Sequence, residues 1–349
     1  MLTSLTSGTR ASNLKRMTLR FACIGFTLAC AVSAGTVRII QTNSAGDNVH
    51  IIDPSTNKVV GVINGIEVNH GAAVAPDGSR YYISDEAEST LDVVDTKTLK
   101  VIGHVPLSGH PNNVAISRDG KRVYVAIVQA PGAVDVVDTA SLEKVKTIPM
   151  KGGVHNTFMT PDGKYVVAGS IVGKVLTVID RQTEEPIWSM NFENGVRPIA
   201  FEKNPDGSTK RMFVQISDLH GFAVVDFATH KEVRRVVLPD VPGVAKETEG
   251  VQGSPSHGIG ITPDGKTLWA TSKWYGYVFA YSMPDLKLLG SVPVGEDPDW
   301  ITFTPDSKSL YVACAGSNFV AVVDVKLMKV VTRIPVGQVP KRNITALLP

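Results

Sequence analysis

Cysteine is nearly absent from this chain. Of three in 349 residues, Cys23 and Cys30 lie in an N-terminal segment with the marks of a leader, which leaves Cys314 alone. A single thiol excludes an intramolecular disulfide, so the fold must stand on packing. An excess of one charge is missing too. The chain has 35 Lys and Arg against 33 Asp and Glu, a formal charge of +2, so nothing points to nucleic acid or an anionic membrane as partner. No Cys-x-x-Cys-His motif is present, which excludes covalent c-type haem. P-loop, nucleophile-elbow and dinucleotide-binding signatures are also missing from any fitting context.

What is present is punctuation. The 31 Gly and 21 Pro break a 43% hydrophobic chain into many short apolar runs, which points to β-structure. The N-terminus differs in kind. Arg10, Lys15, Arg16 and Arg20 precede FACIGFTLACAV (21–32), and Ser33-Ala34-Gly35 follows. This is the order of a secretory leader, and its apolar run is too short to span a bilayer. The expectation is a cleaved segment 1–34, a mature domain 35–349, a periplasmic or secreted location and no membrane span after cleavage.

The mature chain repeats itself. One element reads apolar-apolar-Asp, a polar turn, then apolar again, as in IIDPSTNKVVGVI (51–63), VVDTKTLKVIGHV (93–105) and VVDVKLMKVVTRI (322–334). The aspartates at 53, 95, 138, 180, 226 and 324 are expected to cap backbone N–H groups of the turn that follows. A second element alternates with it: strand, Pro-Asp-Gly turn, strand, as in AAVAPDGSRYYIS (72–84), TFMTPDGKYVVAG (157–169) and GIGITPDGKTLWAT (258–271). Two hairpins per unit at a period of roughly 42 residues are the signature of a propeller blade.

The predicted fold is therefore all-β, a seven-bladed β-propeller with four antiparallel strands per blade. The first unit has only three strands. RNITALLP (342–349) is expected to supply its innermost strand and close the ring, hiding two sheet edges.

The units resemble the YVTN family of propeller repeats, whose name-giving strand is echoed by YYIS (81–84), YVAI (124–127) and YVAC (311–314). Propellers related to that family include haem d1-binding domains, amine dehydrogenase heavy chains and lactonase-like enzymes. The resemblance implies the fold and leaves the chemistry open.

A candidate site follows from position within the repeat. Six residues before the turn proline, each inner strand begins at the channel face. That slot holds His70, Asn112, His155, Arg197, His257 and Asp299, and Lys341, Arg342 or Asn343 in the closing blade. Every occupant is polar, and the three histidines come from alternate blades. Three neutral imidazoles suit a transition metal such as zinc, copper or iron. Arg197 and Asp299 are the candidate catalytic residues. An arginine fork holds a carboxylate or phosphate, and an aspartate orients a ligand histidine or acts as a base. The slot is expected to be a wet rim, where alanine would abolish ligand uptake and barely change stability.

Loops opening on the same face carry Asp85, Glu86, Asp218, His220 and Lys273-Trp274-Tyr275, and 239–253 is either a lid or a solvated insertion. Cys314 is expected to pack as a small apolar residue. The reading that results is an exported, monomeric propeller binding a metal ion or small molecule at its channel mouth. Two alternatives stay open: a metal-dependent oxidoreductase or lyase using that site, and a non-catalytic scaffold for a protein partner in a periplasmic redox complex.

Overall fold

The structure is a computed structural model that describes residue 8, residues 35–249, residue 251 and residues 253–349. The leader expected at 1–34, residue 8 aside, lies outside the described residues. Gly35–Pro349 forms one unit.

Among the described residues, 28 strands form seven four-stranded antiparallel sheets, with no helix. Within each blade the middle strands carry the apolar runs. Arg122–Ile127 and Ala133–Asp138 are buried almost throughout, whereas the outermost strand Glu143–Pro149 is mostly exposed. A sheet covered on both faces needs continuous hydrophobic sequence, and an outer edge does not. The aspartate turns behave as expected. Asp95 Oδ1 accepts from Lys97 N and Thr98 N at 3.1 and 2.8 Å, and Asp180 Oδ1 from Gln182 N and Thr183 N at 2.9 Å each. Cys314 is fully buried against Leu310, Val312 and Ala321, and burial pushes its thiol up to about 12.

The first and last strands share a blade. Pro340–Leu348 pairs antiparallel with Thr36–Asn43, in register from Thr36 opposite Leu348 to Gln41 opposite Asn343. The inner strands that surround the channel are Pro340–Leu348, Ala72–Val74, Pro111–Ile116, Val154–Met159, Val196–Lys203, Ile259–Ile261 and Pro298–Phe303. Each contacts the next around the ring, and the last contacts the first.

Candidate functional site

Glycines set how closely the blades approach where the inner strands begin. Gly71 and Gly258 directly follow His70 and His257. A Cβ on Gly71 would stand 2.4 Å from Asn112 O, and one on Gly258 would stand 2.6 Å from Asp299 O. Only a residue without a side chain lets one strand entrance press against the backbone of the next. Hydroxyls from the second strands brace these entrances. Gly71 N donates to Ser84 Oγ at 2.7 Å, and Ser84 Oγ donates on to Asn112 O at 2.7 Å. Thr271 Oγ1 accepts from Gly258 N at 2.8 Å.

These entrances converge. One pocket is lined by His70, Asn112, His155, Arg197, His257 and Asp299, together with Lys341 and Arg342. Every slot of the repeat therefore contributes a side chain to a single cavity, with Lys273 and Trp300 as further wall residues and about 80 Å³ of free space between them.

The expectation of a wet rim fails for part of the slot. Asp299 is 2% exposed and His257 4%, with Lys273 beside them at 5%, whereas His70, Asn112, His155, Lys341 and Arg342 are half-buried. The reason is geometric: inner strands crowd toward the axis, so an entrance residue is covered by its counterparts from other blades. Asp299 is the hub of a buried charge cluster. Its carboxylate lies 3.4 Å from Lys273 Nζ, 3.1 Å from Lys341 Nζ and 3.2 Å from His257 Nδ1. Burial works against its ionisation, but His257, Lys341 and Lys273 together hold the carboxyl well below the usual range. Burial also works against the Lys273 ammonium; Asp299 and Asp297 overcome it and raise the group. A general base works best with its pKa near the operating pH. Asp299 is thus suited to anchoring charge and badly placed to accept a proton.

Burial keeps the His155 and His257 imidazoles neutral. Burial lowers His257 to about 3 and takes His155 well below its ordinary value. Their rings meet edge to face, with centroids 6.0 Å apart, and His257 meets Trp300 in the same way at 5.2 Å. Nδ1 of His155 pairs with Asn156 Nδ2 at 2.6 Å. His70 has Nδ1 2.8 Å from Glu86 Oε2, not aligned as a hydrogen bond. The single three-histidine ion site expected from the spacing is not what this geometry builds. Among the described residues no group of three His, Cys, Asp or Glu side chains is spaced to hold a metal ion.

Arg197 is buried in the wall, with Nε donating to Ser217 Oγ at 2.9 Å, and burial lowers its pKa. Arg342 lies 4.1 Å above the Trp300 ring and 5.5 Å from that of Phe158. Its Nε and Nη1 are out of contact with solvent and have no hydrogen-bond partner among the described residues. Burial pushes this guanidinium down to about 9.

Other face residues take structural roles. His220 is buried against Trp274, Tyr275 and Phe279, with Nε2 2.7 Å from Ser272 Oγ. Asp85 accepts from Glu67 N and Glu88 N at 2.9 Å each and pins its own loop. The long segment before His257 is tied down: Glu247 N donates to Trp274 O at 2.8 Å and Tyr275 OH to Asp240 Oδ1 at 2.7 Å. Val251, from that segment, is buried in the pocket wall. Trp300 had no signal in the repeat. It follows Asp299 in every sense except the slot count, and only the packed channel shows its ring against Arg342 and His257.

Solved structures share this architecture. Kuenenia stuttgartiensis hydrazine synthase matches at 24% identity and a TM-score of 0.71, over 82% of this chain and 91% of that one. The dihydro-heme d1 dehydrogenase NirN in complex with DHE matches at 16% and 0.63, over 85% of this chain and 63% of that one. A putative 6-phosphogluconolactonase from Bacteroides fragilis matches at 16% and 0.71, over 91% and 99%. At such identities the likeness carries the fold. No curated protein matches the chain. One family model does, across nearly all of the propeller at residues 37–345, and the chain belongs to the cytochrome D1 heme domain family.

Proposed function

We propose that this protein is an exported propeller that binds a small ligand in the channel-mouth pocket, with His155 and His257 contacting the ligand and Asp299 fixing the charged wall. The observation that carries this reading is the convergence of all seven repeat slots on one cavity. Nothing in the fold demands it, since the same entrances with small residues would close the channel equally well.

The family's name raises haem as the ligand. The pocket does not fit it in this form. About 80 Å³ is free, against roughly 300–1,000 Å³ for sites that take drug-sized molecules. The room beside the histidines is filled by Trp300, with Arg342 stacked on it. A ligand of a few non-hydrogen atoms matches the space.

The test is thermal unfolding of untagged protein with a panel of probes: zinc, copper(II), iron(II), haemin, sulfate and acetate. A ligand that binds only the folded state raises the midpoint, by about 2.7 kcal/mol of stabilisation at a hundred times its Kd. At least one probe is expected to do so, and His155→Ala is expected to abolish the shift. No shift with any probe, or the same shift in the variant, refutes the reading.

Export is the second part of the proposal and rests on the order of residues in 1–35. Intact mass of protein from the native host should correspond to a chain beginning at about Gly35. A full-length product would contradict it.

A further inference from the structure

The charge of the pocket wall is lopsided. Among the described residues, those lining the cavity include Arg197, Lys273, Lys341 and Arg342 as cations and Asp299 as an acid, while burial lowers His155 and His257. Asp299 lies within 3.4 Å of both lysines and its charge also acts on Arg197, while Lys273 has a second acid in Asp297 at 2.8 Å. Arg342 stands outside this compensation. A guanidinium carries five N–H donors in a fixed fork, and here Nε and Nη1 are buried without any acceptor among the described residues. Contact with the Trp300 face offsets part of the lost hydration but accepts no hydrogen bond in the ring plane. A buried charged donor left unmatched is expensive, and natural proteins retain such groups where a ligand supplies the missing partner.

We propose that the pocket takes a small anion, a carboxylate or an oxyanion of a few non-hydrogen atoms, held by the Arg342 fork inside the cationic wall. The inference rests on the channel-mouth pocket being the ligand site, and it names the ligand's class. Three features select that class together. The free space of about 80 Å³ admits an acetate or a sulfate and leaves no room for a macrocycle. Arg342 offers donors in the geometry that carboxylate and oxyanion oxygens accept, and charge-assisted bonds of that kind are the strong ones. The imidazoles of His155 and His257, held neutral by burial, add polar contacts without adding charge. A cationic ligand would meet like charge at Arg342, and a neutral one would leave its donors as unsatisfied as before.

Calorimetric titration of the full mature protein at low ionic strength tests this, with acetate and sulfate as anionic probes and acetamide as the neutral match of acetate. At least one anion is expected to saturate at one site and acetamide to give no saturable heat. Arg342→Gln should weaken anion binding about tenfold or more, the loss of one charge-assisted fork. Arg342→Lys keeps the charge and loses the fork, so it should fall between the two. The exposed-surface control Lys308→Gln should bind as wild type. If Arg342→Gln fails to fold, the lysine variant and the acetate–acetamide comparison still decide. Anion binding that is equally tight in the Arg342 variants overturns the inference. So does a pocket that binds zinc, haemin or acetamide in a His155-dependent way and no anion, an outcome that leaves the ligand-site reading standing. Binding of no probe from any class removes both.

Discussion

Deleting residues 340–349 is expected to abolish cooperative folding altogether. The segment is the innermost strand of the blade that also holds Thr36–Asn43, and its removal exposes the full ladder from Thr36 to Asn43 at the channel. It buries Ala346 and Asn343, and Asn343 Nδ2 donates to Tyr311 O at 3.2 Å in the neighbouring blade. Thr345 Oγ1 donates to Phe303 O at 2.7 Å in the same blade, so two blades lose their junction at once. Domains of this kind have a total margin of about 5–15 kcal/mol, and an open ring with a raw sheet edge at its channel exceeds it. Circular dichroism on heating should show no sigmoidal transition, or the variant should be insoluble. A two-state transition within a few degrees of wild type would mean that the ring does not depend on this closure.

Asp299→Ala should destabilise the fold by about 3 kcal/mol, the lower end of the range for breaking a buried ion pair. Lys273 is 5% exposed, and without Asp299 it retains only Asp297, at 2.8 Å. Lys341 and His257 lose their shared acceptor at the same time. Asp299→Asn keeps the shape and loses the charge, so its loss should be smaller. Urea unfolding at neutral pH measures both, with an unchanged slope expected because the surface exposed is the same. The same variant should bind an anion more tightly, since it removes an acid from the cationic wall. A drop in stability joined to a rise in affinity is hard to produce by general damage. Unchanged stability would mean that the cluster is solvated and the burial argument wrong.

Much of this was open to reading along the chain. The period, the turn aspartates and the polar slot are local features, repeated at fixed spacing, and a repeat fixes where each strand begins relative to its turn. His70, Asn112, His155, Arg197, His257 and Asp299 could be aligned for that reason, and they do line one cavity. What spacing cannot give is the radius of the ring. Whether three alternate imidazoles meet at an ion or stand apart depends on how closely seven backbones approach, which Gly71 and Gly258 set by contacts with other blades. Burial was misjudged on the same ground, because a strand entrance looks exposed when its own blade is considered alone. Arg342 and Trp300 are 42 residues apart and come from different blades, so their stacking at 4.1 Å leaves no trace in either repeat unit.

The most direct test of the account is a crystal of the mature protein soaked in selenate, an oxyanion with its own anomalous signal. The account predicts one peak in the channel-mouth pocket, with an oxygen about 2.7–2.9 Å from a nitrogen of Arg342, bordered by His155 and His257. Saturating selenate that leaves that pocket to water, with peaks only on the outer surface, would contradict it.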